Sequence, residues 1–283
     1  MNEVLITPLE LAESLLATPP VLLDVRWQLG DFDGRRAYRE GHIPGAVYVD
    51  LDSELAAPPS GPVGGRHPLP DVADLQEAAR RWGIDDGVPV VVYDDSGNLA
   101  AARAWWLLRW AGVADVRLLD GGLAAWRAEG LRTTTGDGGR PRPGRVTLTA
   151  GHLPVATIDE VAAGPEHLLD ARAAERYRGD VEPVDPRAGH IPGALSVPTA
   201  DNVDASGRFR PADELRRRFA GFGLDSAAGP GVVVYCGSGI NAAHQIAALA
   251  IAGIDATLFP GSFSQWSSDP GRPVVEGTRP EEA

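Results

Sequence analysis

The sequence has one cysteine, Cys236, one methionine and no lysine: all 26 of its basic residues are arginine. A single cysteine excludes an internal disulfide and any zinc or iron–sulfur site built from several thiolates. Without lysine no Schiff base can form, and no lysine can clamp a phosphate. His42, His67, His152, His167, His190 and His244 never fall at short metal-ligand spacing, so neither a metal nor any other cofactor is expected. No apolar run is long enough to cross a bilayer. The first fifteen residues carry Glu3, Glu10 and Glu13 and no basic residue, unlike a secretory leader. The expectation is a cytoplasmic protein with no membrane partner. Positive charge is also short: the formal net charge is −13, which repels a phosphate backbone and argues against nucleic acid as a partner.

What is present is a pattern written twice. Leu22-Leu23-Asp24-Val25-Arg26 is followed by a polar stretch and then by Gly41-His42-Ile43-Pro44-Gly45-Ala46. Leu168-Leu169-Asp170-Ala171-Arg172 leads in the same way to Gly189-His190-Ile191-Pro192-Gly193-Ala194. Val90-Val91-Val92-Tyr93 has its counterpart in Val232-Val233-Val234-Tyr235, and Gly121 with Trp126 in Gly261 with Trp266. Landmarks repeated in one order predict two domains of one fold, an organisation that 283 residues can accommodate. The expected division is 1–130, a linker over 131–154 that is rich in Gly, Thr, Pro and Arg, and 155–283. Short apolar runs at 21–25, 88–93, 116–119, 168–171, 231–235 and 256–259 predict buried parallel strands. Helices are expected over 74–82, 100–110, 212–219 and 242–252. Strand–helix alternation makes each half an α/β domain with a mainly parallel sheet flanked by helices. Trp105, Trp106 and Trp110, at helical spacing, are expected in the core.

In such a sheet ligands bind where strands end and loops open into helices. The stretch Tyr235-Cys236-Gly237-Ser238-Gly239-Ile240-Asn241 is such a place. Two glycines let backbone N–H groups turn into one hollow, and the helix that follows adds its positive end. Such a hollow favours a thiolate, the reactive form of cysteine, and equally a persulfide, whose outer sulfur is anionic. A Cys-X5-Arg phosphatase would share this layout, but it needs an arginine six residues after the cysteine. That position is Ala242, and no arginine occurs between Cys236 and Arg272.

The paired Gly-His-Ile-Pro-Gly-Ala boxes, the Cys-headed loop and the terminal Gly-Ser-Phe-Ser-Gln-Trp segment resemble the tandem-domain rhodanese sulfurtransferases. The resemblance implies two rhodanese-like domains, of which only the second is catalytic. Asp94 stands in the first half where Cys236 stands in the second, and it cannot carry sulfur. The implied activity moves a sulfane sulfur from a small anionic donor through a Cys236 persulfide to a thiol, thioredoxin or cyanide. Cys-Gly-Ser-Gly-Ile-Asn is similar to the loop of the 3-mercaptopyruvate branch, although Asn241 replaces the usual Thr; the thiosulfate branch tends to place basic residues after the cysteine. By that resemblance Gly237, Gly239, Ile240 and Asn241 line the substrate site, and Arg176 and Arg187 hold the donor carboxylate. Ser238, His42 and Asp33 form a proton relay, with Asp31 as the alternative carboxylate. Two other outcomes stay open: a preference for thiosulfate, and a non-catalytic module that carries or senses persulfide.

Overall fold

The computed structural model describes residues 4–30, 33–139, 141–224, 231–278 and 280. Contacts divide the chain into two compact units. The first contains 4–57, Pro70–Leu153 and Val203–Phe209; the second contains Pro58–Leu69, Pro154–Asn202 and the chain from Arg210 on. Each unit thus takes in a short segment from the other half of the sequence. The stretch 131–154, expected as a linker, is bonded along the first unit as far as Leu153: Gly144 N–H donates to Arg80 O and Val146 N–H to Ile84 O.

The first unit runs β1 (Leu5–Ile6), α1 (Pro8–Ala17), β2 (Val21–Val25), α2 (Gly34–Glu40), β3 (Val47–Val49), α3 (Leu51–Glu54), α4 (Val72–Arg81), β4 (Val90–Tyr93), α5 (Ala101–Trp110), β5 (Val116–Leu119) and α6 (Gly122–Ala128). Its parallel sheet has the order β1-β5-β4-β2-β3. The second unit runs α7 (Ile158–Ala162), β6 (His167–Asp170), α8 (Ala174–Arg178), β7 (Ala194–Ser196), a 3-10 turn (Thr199–Asn202), α9 (Ala212–Ala220), β8 (Val232–Tyr235), α10 (Ile240–Ala252), β9 (Thr257–Leu258) and α11 (Ser262–Ser268). Its sheet, also parallel, has the order β7-β6-β8-β9. Every residue of the Val-Val-Val-Tyr strands β4 and β8 is buried, which is why both read as unbroken apolar runs. Each such side chain contributes about 1.5–3 kcal/mol by leaving water. Trp105, Trp106 and Trp110 lie in the core. β4 begins at Val90 rather than 88, because Pro89 has no N–H to give to a ladder.

The repeat is visible in small devices as well. A capping box opens the first helix of each unit, Thr7 with Glu10 and Thr157 with Glu160. A buried ion pair closes β2 and its counterpart β6, Asp24 with Arg26 and Asp170 with Arg172. The two His-Ile-Pro-Gly boxes brace their sheets identically. His42 stacks on Tyr38 at 3.8 Å between centroids and its Nδ1 meets Tyr38 O at 2.9 Å. His190 stacks on Tyr177 at 3.7 Å, with Nδ1 2.8 Å from Tyr177 O.

Candidate active site

Cys236 follows β8 directly, and α10 starts four residues later. Gly239, at φ +83°, turns the chain into the helix and aims its N–H at Cys236 Sγ, 3.2 Å away. The positive end of the 13-residue α10 lies at the same point. A thiolate or persulfide here meets a backbone donor and a favourable dipole. Cys236 is 97% buried, so little water competes for it (3% exposed). Ile240 is buried in the first turn of α10 and Asn241 beside it is half-buried.

The Gly-Ser-Phe-Ser-Gln-Trp segment holds this loop from behind. Ser262 Oγ accepts from Cys236 N–H at 3.2 Å and donates to Phe259 O at 2.9 Å. Ser262 adopts φ +53°, a conformation costly for a residue with a Cβ, and those two bonds are what hold it there. Phe263 N–H donates to Cys236 O and Ser264 N–H to Gly237 O.

The same segment grips Pro58–Leu69, the part of the first half that belongs to the second unit. Gln265 Nε2 donates to Val63 O at 2.8 Å, and Arg66 N–H to Ser264 Oγ at 3.1 Å. Gly65, at φ +79°, makes the approach possible: a Cβ there would stand 2.5 Å from both Gly261 O and Ser264 Oγ. Two side chains are thereby delivered to the cysteine loop. His67 Nδ1 lies 2.8 Å from Ser238 Oγ. The Arg66 guanidinium stands with that of Arg176 over Gly237, where a Cβ would be 3.0 Å from Arg66 Nη2 and 3.4 Å from Arg176 Nη1.

Carboxylates hold both guanidinium groups. Asp185 is bonded through Oδ1 to Arg66 Nη1 and through Oδ2 to Arg176 Nη2, the latter at 3.0 Å. Glu182 accepts from Arg176 at 2.6 Å and from the N–H groups of Val184 and Asp185. Burial raises the Asp185 carboxyl against the pull of Arg66 and Arg176. Burial acts the same way on Glu182, but the Asp185 N–H, Arg176 and the Val184 N–H outweigh it, and Glu182 sits below the ordinary range.

Of the residues predicted for the site, the structure brings together Cys236, Gly237, Ser238, Gly239, Ile240, Asn241 and Arg176. It does not bring Arg187, whose guanidinium is spent on the carbonyls of Trp266, Ser267, Asp269 and Arg272 at the end of α11. The second cation is Arg66. The histidine on Ser238 is His67 and not His42, whose Nδ1 is engaged at Tyr38 O and whose ring is fully buried. Asp33 is the N-cap of α2, accepting from Arg36 N–H and pairing with its guanidinium at 3.0 Å. Asp31 lies outside the described residues. Arg66 and His67 had one signal in the sequence, a Gly-Gly pair ahead of Arg-His-Pro where the second half has only Ser206-Gly207-Arg208-Phe209.

At the corresponding place in the first unit, the Asp94 carboxylate fills the hollow itself. It accepts from the N–H groups of Ser96, Asn98, Ala100 and Ala101 at 2.7–3.1 Å. Burial pushes its carboxyl up while those four donors pull it down. The shorter exchanged segment Val203–Phe209 lies against this loop, with Gly207 Cα 3.8 Å from a Cβ built on Gly97. Among the described residues no three His, Cys, Asp or Glu side chains are grouped to hold a metal ion, and no helix is long and apolar enough to cross a membrane.

Residues 7–129 and 155–269 each match the rhodanese-like domain. A Mycobacterium tuberculosis protein, SseB, provisionally named a thiosulfate sulfurtransferase, is 51% identical over 98% of both chains. A Pseudomonas aeruginosa protein provisionally named a 3-mercaptopyruvate sulfurtransferase is 46% identical over 96% of this chain and 98% of its own. The crystal structure of the Escherichia coli 3-mercaptopyruvate enzyme SseA superposes with a TM-score of 0.81 at 31% identity, covering 93% of this chain and 99% of that one. Two rhodanese matches in one chain, two α/β units and a single cysteine at the head of the second unit's loop converge: the chain belongs to the tandem-domain rhodanese sulfurtransferases.

Proposed function

We propose that the enzyme takes sulfur from 3-mercaptopyruvate in preference to thiosulfate, with Cys236 as the carrier. The observation that carries the preference is the 2.8 Å pair of Ser238 Oγ and His67 Nδ1, two residues from the nucleophile. The two donors differ in what they leave behind. When a Cys236 thiolate attacks thiosulfate, the S–S bond breaks and sulfite departs with the electron pair, needing no proton. When it attacks the sulfur of 3-mercaptopyruvate, the C–S bond breaks and the pair stays on carbon as a pyruvate enolate. The persulfide first holds the proton that came with the donor thiol, and the enolate carbon must gain one to become pyruvate. A hydroxyl backed by an imidazole is suited to pass that proton. Arg176 and Arg66 over Gly237 bind the donor carboxylate. An acceptor thiolate, thioredoxin or cyanide then attacks the outer sulfur, and Cys236 leaves as thiolate.

Thiosulfate preference is the second possibility, favoured by the two guanidinium groups over one loop, a setting suited to a doubly charged anion. The ratio of kcat/KM for the two donors decides between them. Cys236→Ser should abolish turnover with both, and retained turnover refutes the assignment. A cytoplasmic place of action goes with this proposal, since an unpaired reactive thiol and thiol acceptors belong to a reducing compartment.

A further inference from the structure

We propose that Asp185 is a positioning residue that sets the charge of the donor subsite and so tilts the choice between singly and doubly charged donors. This deepens the proposal that Arg66 and Arg176 bind the donor, and rests on it. The two arginines come from separate stretches, Pro58–Leu69 and α8, and neither backbone holds the other in place. Like charges gathered over Gly237 repel; Glu182 holds Arg176 but not Arg66, and a carboxylate that reaches both guanidinium groups offsets the repulsion. Asp185 is that carboxylate, one oxygen on each guanidinium, with no side-chain exposure.

The balance of charge around it is close. Arg66, Arg172 and Arg176 face Asp170, Glu182 and Asp185, three cations against three anions, joined by ion pairs in one buried or half-buried cluster. A donor with one negative charge can use guanidinium N–H groups without leaving much excess charge behind. A doubly charged donor overfills the site. Removing the Asp185 charge therefore favours thiosulfate over 3-mercaptopyruvate, and removing the Arg66 charge does the reverse.

The test is the ratio of kcat/KM for thiosulfate to that for 3-mercaptopyruvate in three variants. Asp185→Asn should raise the ratio about tenfold, through the thiosulfate KM. Arg66→Gln should lower it by a similar factor. The double variant restores the balance and should return the ratio to within about threefold of the parent. Asp185→Glu, which keeps the charge, should leave the ratio within about twofold. If Asp185→Asn and Arg66→Gln each depress both donors equally, Asp185 is scaffolding only and the inference fails. A ratio that moves the same way in both single variants also overturns it. Gain of one sulfur on Cys236 by mass spectrometry, in each variant, separates these outcomes from a failure of the cysteine assignment, which would leave Cys236 unmodified in the parent enzyme too.

Discussion

Replacing Ser238 by Ala deletes one oxygen and little else. The backbone N–H groups of the loop remain, Gly239 still donates to Cys236 Sγ, and the guanidinium pair over Gly237 is not touched. Lost is the 2.8 Å contact to His67 Nδ1 in a residue 7% exposed. In the ground state that is one side-chain hydrogen bond, about 1 kcal/mol, so Tm should fall by only about 2–4 °C. In the proposed transition state for 3-mercaptopyruvate it would be the proton source for the enolate. A general acid contributes on the order of 10²–10⁴ in rate, or about 3–5 kcal/mol at roughly 1.4 kcal/mol per tenfold. Thiosulfate, whose leaving sulfite needs no proton, should lose about threefold or less. Steady-state kinetics with both donors and a common acceptor measures the difference, with pyruvate and sulfite as separate readouts. Equal losses for the two donors would show that Ser238 only shapes the loop, and the argument for a proton relay would fall. His67→Asn should reproduce the asymmetry, whereas His42→Asn should lower stability and leave the donor ratio alone.

Gly65→Ala should cost about tenfold or more in kcat/KM for both donors and also lower Tm, because a Cβ 2.5 Å from Gly261 O at φ +79° is strained and pushes Arg66 and His67 off the loop; parent-like kinetics would refute the placement. Arg26→Ala leaves Asp24 buried without its partner and should cost about 3–5 kcal/mol, read as a lower melting transition. Glu182 titrates below its ordinary value of 4.5, so its contribution to stability is present above that pH and is lost as acid protonates the folded protein. Glu182→Gln should flatten the acid limb of a stability–pH curve below about pH 4.5, and an unchanged slope would count against the network. Asp94→Ala abandons four buried N–H groups and should destabilise the protein by about 3 kcal/mol or more without changing donor preference.

Much of this protein can be read from its linear order, because the information is local. The Val-Val-Val-Tyr strands, the Asp-x-Arg ends and the His-Ile-Pro-Gly boxes each act over a few residues, and their repetition marks two copies of one fold. Cys236 at a strand end, the glycines beside it and Asp94 at the matching place in the other copy identify the chemical half for the same reason. The two-residue strand β1 and the three-residue strands β3 and β7 are too short to show a period, and sheet pairing alone makes them strands.

Which side chains surround the cysteine was a different matter. Arg187 and Arg66 are equally polar in sequence, yet one caps the carbonyls of α11 and the other stands over Gly237. His42 and His67 are both histidines followed by a proline-containing turn, and only packing sends one into a stack on Tyr38 and the other to Ser238. The repeat itself misleads here: it directs attention to boxes that recur with their histidine, while the stretch ahead of α4 that carries Arg66 and His67 recurs ahead of α9 only as Gly207-Arg208-Phe209, without one. Their position depends on Gly65 sliding against Gly261, about two hundred residues later in the chain, a contact that exists only once the chain has folded.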